Sequence, residues 1–362
     1  MTGGIFAGLV ALTIVMLFGH THEMNVGWEP PWGILVVTAH FLTLVSAGSC
    51  LVVPMLLPRD WALPSEVSQK GLMAAGIAFL GALGVAVVEL SQPVRLSFSA
   101  ELGEGFVGGV YLVLLHSLIY LSCLGATCFS LGRGMRIRAR IMASVAFGVV
   151  LVILFKSEQM LTLFGFDASW LSVALIPVAA FSAVILGAAV LLLVMTIPHW
   201  LGGRICDEAH ANLAGRLTVI LRVLLVILLI VEALALYGGA AWGGERLALI
   251  SHLLVSGPLS SGLWFGELLL GVVTPLLLLQ INKRPWTLCF AALTVLFGQF
   301  MFWYDLILAT QLGSLLTLSP LATSGLTPNV VPCLPKMMIS LGSISLLLLL
   351  ISLNEKLQPY RN

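Results

Sequence analysis

The chain has 362 residues, of which 59% are hydrophobic and only 9% charged. A soluble protein carries roughly 25% charged residues, so this composition cannot clothe a water-facing surface and points to an all-α polytopic membrane protein embedded in a lipid bilayer. A net charge of +1 with no basic helix argues against nucleic acid as a partner.

Ten apolar segments follow one another: 3–19, 33–57, 71–90, 106–130, 141–163, 171–198, 216–240, 260–282, 286–312 and 333–353. Each is near the length of about 20 residues that a bilayer crossing needs. The first lacks the basic start and small-residue cleavage site of a signal peptide, so a retained, somewhat short helix is expected. Next comes a polar stretch with His20, His22, Glu23 and Asn25, then Trp28 and Trp32 around a Pro-Pro pair. The tryptophans sit where an aromatic belt holds a helix entrance at headgroup level. The helix that follows is broken by His40 and carries a small-residue cluster, Ser46, Ala47, Gly48 and Ser49. Such residues let a neighbouring helix come close. Protonatable groups at the mouth of a membrane helix suggest proton-linked chemistry at a membrane surface.

An even number of spans puts both ends on one side. That side carries twelve basic loop residues: Arg59, Lys70, Arg133, Arg136, Arg138, Arg140, Arg204, Arg216, Lys283, Arg284, Lys356 and Arg361. The other side carries two, Arg95 and Arg246. The positive-inside bias predicts cytoplasmic ends. With that orientation His40, Glu89, Lys156, Glu158, Glu232, Glu267, Asp305 and Lys336 fall in the outer half of the membrane, while Arg222 snorkels at an inner helix end. Intramembrane charges of this kind each cost roughly 2.5–3.5 kcal/mol on insertion scales and mark function. A site opening toward the outer surface is expected. The six cysteines form no CxxC pair and lie mostly in apolar runs, so no iron–sulfur cluster is expected in this chain.

Several stretches together resemble one family. The polar turn and PWG before the helix at 33–57, the VVELSQPVRL stretch with Glu89, and LFKSEQMLTLFGFDASW with Lys156, Trp170 and Pro177 are three of them. The others are LWFGELLLGVVTP with Glu267, FGQFMFWYDLILATQ with Tyr304 and Asp305, and NVVPCLPKMMISLGSI with Lys336. In this order they resemble the NrfD/PsrC family, the membrane anchor subunits of polysulfide-reductase-like complexes. The chain is most similar to the longer ten-helix branch that includes the hydrogenase-linked HybB anchors and alternative complex III. It departs from the pattern at Ser91 and Gln92, where Gly and Arg are usual, at Trp303 in place of Arg, and at Lys336 near the usual acid.

The resemblance implies about ten transmembrane helices in one integral membrane domain, as two four-helix bundles plus peripheral helices. Residues 1–20 would be the outer N-terminal helix, 28–200 the first bundle, and 214–312 with 333–353 the second bundle and final helix. It implies a quinone-binding subunit (menaquinone or ubiquinone), not catalytic alone, in the cytoplasmic membrane of a bacterium or archaeon. Electrons would pass to an iron–sulfur subunit on the periplasmic face, itself joined to a molybdopterin, hydrogenase or multihaem cytochrome subunit. His22, Asn25, His40 and Glu89 are the expected quinone-binding residues, and Lys156, Glu158, Glu232, Glu267 and Asp305 the expected proton relay. Lys156 and Glu158 have an equal alternative as residues that simply neutralise other buried charges, and Glu89 as an interfacial carboxylate paired with Arg95. Two rivals stay open: a bis-histidine haem b anchor through His40 and His116, and a stand-alone secondary transporter, whose discontinuous helices find a faint echo in GSCLVVP and GVVTP.

Overall fold

The computed structural model describes residues 2–18, 33–55, 65–90, 104–162, 169–202, 208–242, 244–281, 284–318 and 337–345, near some helix ends by backbone alone. Among the described residues there is helix and turn but no strand. In chain order the helices are α1 (Thr2–Phe18), α2 (Ile34–Met55), α3 (Ser65–Leu90), α4 (Glu104–Gly132), α5 (Arg136–Thr162), α6 (Ser169–Gly202), α7 (Glu208–Trp242) and α8 (Gly244–Val255). Then come α9 (Gly262–Ile281), α10 (Pro285–Leu318) and α11 (337–345). Seven of these, α2, α3, α4, α6, α7, α9 and α10, contain stretches long and apolar enough to cross a membrane. The chain thus has the make-up of a multi-pass membrane protein.

In hydrocarbon every backbone polar group must be satisfied internally, which favours continuous helices. Six hydroxyl side chains obey the same demand, although the buried hydroxyls of Ser49, Ser182, Thr287 and Ser340 do not. Thr38, Thr43, Ser117, Thr127, Thr196 and Thr218 each donate to the carbonyl four residues earlier, at 2.7–2.8 Å. They therefore add no unpaired donor to the interior. Between α4 and α5 the chain reverses in three residues. Gly134 adopts φ 71°, and Met135 N–H reaches back to the Ser130 carbonyl at 2.8 Å. Glycine takes this left-handed conformation at a helix end without a Cβ clash.

Burial sorts the helices. The spans of α2 and α6 are 89% and 78% buried, whereas those of α4 and α7 are only 22% buried. The first pair forms the centre and the second pair turns Leu114, Leu115, Leu118, Val223, Ile230 and Leu234 outward toward lipid. Helix α2 packs on α3, α5 and α6; α7, α8 and α9 gather with α10; and α10 joins the two groups by packing on α6 and α2. The small-residue cluster of α2 does what its composition suggests. A Cβ at Gly48 would collide with the Ala183 backbone and meet Gly187 N at 2.9 Å, so α2 and α6 cross backbone to backbone. Beside this crossing, Ser46 Oγ donates to the Ala75 carbonyl and pairs with Tyr120 Oη, both at 2.6 Å, tying α2 to α3 and α4.

Helix α8 was not among the predicted segments. It is short, and it buries Ile250, Leu253 and Leu254 against Leu259, Leu263, Leu308 and Leu312. Trp264 Nε1 donates to the Val255 carbonyl at 3.0 Å and fastens the turn that follows.

Candidate functional site

Helix α9 is wound as a π-helix from Gly262 to Val273 and as an α-helix from Thr274. The cause lies in the sequence. Pro275 has no N–H to give to the Gly271 carbonyl, and in α geometry its ring would strike that carbonyl. The widened register is visible at Thr274, whose N–H and Oγ1 both go to the Leu269 carbonyl five residues back, the latter at 2.8 Å.

The π turn decides which residues share a face. Gly262 and Gly271 are nine residues apart, about 2.5 turns of an α-helix, and would point to opposite sides. Here both face α10, with Gly266 between them. A Cβ on Gly271 would sit 2.5 Å from Gly298 Cα, one on Gly266 would sit 2.9 Å from Met301 Cγ, and one on Gly262 would run into the Asp305 carboxylate. Three glycines therefore form an antiparallel seam with Gly298, Met301 and Asp305. The end of that seam is a carboxylate laid on bare backbone.

Two more carboxylates meet there. Glu267 on α9 is 2% exposed and Glu232 on α7 is 8% exposed. Their carboxyl groups come within interaction range of each other, and Asp305 lies near enough for its charge to act on Glu267. The approach falls short of aligned hydrogen bonds: both oxygens of Glu232, Oε1 of Glu267 and Oδ2 of Asp305 are buried without a partner. Facing carboxyls in an apolar interior are compatible with a shared proton rather than with two charges. The cluster is thus suited to accept and pass protons. Among the described residues, no three His, Cys, Asp or Glu side chains converge closely enough to hold a metal ion.

A second polar group lies across α10, toward α2. The His40 ring packs against Trp303 at a tilt of 52°, with centroids 4.3 Å apart, and Phe41 meets Phe300 edge-on at 5.4 Å. His40 Nε2, Trp303 Nε1 and Gln299 Oε1 are all buried without hydrogen-bond partners. Gln299 and Trp303 are one turn apart, so they share the face of α10 that meets His40. A buried unpaired polar atom costs about 1–3 kcal/mol, and three in one place mark a site rather than a core.

Of the expected quinone-binding residues, His40 is thus placed between the two helix groups. His22 and Asn25 lie outside the described residues. Glu89 is the penultimate residue of α3, with its backbone alone described. Lys156 and Glu158 stand in the last two turns of α5, likewise by backbone. Glu232, Glu267 and Asp305 come together as above; Lys336 lies outside the described residues. His116 spends Nδ1 on the Leu112 carbonyl of its own helix at 2.6 Å, while His40 is engaged by Trp303.

Two members of the polar row, Gln299 and Trp303, were not singled out from the sequence as site residues. The available signal was an amide and an indole four residues apart in an otherwise apolar run. Compared with known proteins, the chain matches no family model and no curated protein.

Proposed function

We propose that this chain is the quinone-interacting, proton-handling membrane subunit of a respiratory oxidoreductase complex, of the NrfD/PsrC kind that its motifs resemble. One observation carries the reading. Buried polar groups without partners gather on two faces of α10, His40 with Gln299 and Trp303 on one and the Glu232–Glu267–Asp305 carboxylates on the other. In an apolar protein, such groups are retained where protons or a hydrogen-bonding ligand must be handled.

In this reading the chain crosses the cytoplasmic membrane ten times, in two four-helix bundles with outer helices, and keeps both ends in the cytoplasm. His22, Asn25, His40 and Glu89 hold the quinone head near the outer surface. The carboxylate trio, with Lys156 and Glu158, relays its protons. Electrons leave to an iron–sulfur partner on the periplasmic face, since this chain supplies the quinone and proton chemistry and the partner supplies the one-electron carriers.

The test is gentle solubilisation followed by analysis of iron, quinone and partner content, with quinol-linked turnover of the assembled complex. Glu89→Gln and Glu267→Gln should each abolish turnover from quinol and spare turnover from an artificial dye that feeds the partner directly. A chain that purifies alone, free of iron and quinone, and moves a solute across vesicles would make it a secondary transporter. The π-wound stretch beside buried carboxylates is the observation that favours that second reading. A haem spectrum lost on His40→Ala would establish the cytochrome b alternative instead.

A further inference from the structure

Two outer parts of the molecule are finished differently. Helices α1 and α11 close on each other: a Cβ at Gly8 would meet Gly342 Cα at 2.7 Å, and one at Gly4 would run into Ser345. The tip of the α4–α5 hairpin is instead open. The crossing span of α4 ends at Gly132, and the sequence then reads RGMRIRARI, with four arginines and no acid between Arg133 and Ile141. Arg133, Arg136, Arg138 and Arg140 are all exposed. Among the described residues their guanidinium groups meet the Phe129 ring, 4.4 Å below Arg133, and the Met135 sulfur, 3.7 Å from Arg138; no carboxylate pairs with them.

The helical register sorts these residues into a pattern. Successive residues of an α-helix stand about 100° apart. Ile137 and Ile141 are therefore neighbours on one line, with Arg136 and Arg140 along one side of it and Arg138 along the other. Ala139 and Ala146 are buried on the opposite face, so the two isoleucines point away from the protein and are 75% and 52% exposed. Val145 and Val152, both exposed, continue the line along α5. A topology signal needs only the charges. The isoleucines set between them need a reason of their own.

That reason is a ligand with an apolar body and an anionic head. The patch begins one residue after a membrane-crossing span, so it lies at headgroup level. An apolar line rising to a border of guanidiniums matches a phospholipid, with an acyl chain on the line and a phosphate on the border. Arginine presents a planar fork of donors that grips phosphate oxygens in pairs. A zwitterionic lipid brings its own cation to offset that attraction, whereas an anionic one does not. A soluble acidic protein would match the arginines but has no use for the isoleucines.

We propose that the tip of the α4–α5 hairpin binds an anionic phospholipid, its phosphate gripped between the Arg136–Arg140 border and Arg138 and an acyl chain laid along Ile137, Ile141 and Val145. Arg133, seated on the Phe129 ring, closes the site from the α4 side. The site is independent of the quinone function and of which leaflet this end of the hairpin faces.

The full chain, purified in detergent, is titrated with phosphatidylglycerol and with phosphatidylcholine of the same acyl chains, and retained lipid is counted by native mass spectrometry. Wild type should retain phosphatidylglycerol preferentially. A basic residue at a membrane surface is worth about fivefold in affinity for anionic lipid. R140Q should therefore lose about fivefold of the preference, and R136Q/R140Q on the order of 25-fold. R284Q removes an exposed arginine that precedes α10 and should behave as wild type. I137N leaves every charge, and so the topology signal, in place. It should still weaken phosphatidylglycerol by about fourfold, the equivalent of one methylene lifted from contact. Equal retention of the two lipids by wild type overturns the site, as does an equal loss in R284Q, a preference that survives in R136Q/R140Q, or full retention in I137N. Displacement of the lipid by an equal concentration of inorganic phosphate assigns the arginines to a free anion. Unchanged lipid with a co-purifying protein lost from R136Q/R140Q assigns them to an acidic protein surface. Either result also overturns the proposal.

Discussion

Gly271→Ala probes the α9–α10 seam, because the added methyl has nowhere to go. Its Cβ would lie 2.5 Å from Gly298 Cα, 3.3 Å from the Gly298 carbonyl carbon and 3.5 Å from the Gly266 carbonyl oxygen. Carbon pairs rest at about 3.5–4.0 Å, so the helices must part by about 1 Å at this point. A gap of that size forfeits roughly a quarter to a half of each dispersion contact along the seam. Backbone on the far side gives less readily than a side chain, so the cost should match the overpacking range of about 1–3 kcal/mol. Glycine to alanine also adds helix propensity worth about 1 kcal/mol, which must be cancelled by a control. Gly148→Ala on α5, where a Cβ meets nothing within 4 Å, supplies it. Thermal unfolding followed by intrinsic fluorescence in detergent should place Gly271→Ala below Gly148→Ala by about 1–4 °C. Under the proposed function quinol turnover should fall as well, since Asp305 closes this seam and Glu267 lies on the same helix as its glycines. If the two variants unfold at the same temperature, α9 and α10 are not in backbone contact and the π-helix argument fails.

Tyr120→Phe removes the hydroxyl that pairs with Ser46 Oγ but leaves Ser46 its bond to the Ala75 carbonyl. A loss of about 0.5–1.5 kcal/mol is expected in the same unfolding assay, with turnover kept; a collapse of turnover would put Tyr120 in the proton path. Reporter fusions after Arg140 and after Lys283 should read cytoplasmic and fusions within 313–331 periplasmic, following the bias of basic residues in loops and at helix ends, although Lys70 lies buried near the start of α3. The reverse pattern would turn every sidedness statement over.

Helix positions were largely legible in the sequence because the physics behind them is one-dimensional. An apolar run of sufficient length must be helical in lipid, and the described helices overlie the expected segments. Helix α8 escaped because its apolar residues Ile250, Leu253 and Leu254 make a stripe rather than a run, too short to register as a crossing. The acids Glu232, Glu267 and Asp305 stood out singly for the cost of a charge in hydrocarbon. They were already expected in one relay, but how they meet was not legible, since Asp305 is laid on α9 through Gly262 in a seam with Gly266 and Gly271, and α periodicity would scatter those glycines. The GVVTP sequence carried the hint: a proline four residues after a glycine disturbs the turn between them. Trp303 was read as a departure from a family pattern, whereas its partner is His40, some 260 residues away in the chain and invisible to any local rule.

The pairing of α1 with α11 also sets a schedule for biosynthesis. Gly8 and Gly342 are 334 positions apart (342 − 8), yet each is the other's packing partner. At roughly 5–20 residues per second, a ribosome takes about 17–67 seconds to supply Gly342 once Gly8 has emerged. Through that interval the glycine face of α1 meets lipid or whatever other helix passes by. A mutation that slows or misplaces α11 therefore leaves its mark at the opposite end of the chain, as an unclaimed first helix open to membrane quality control.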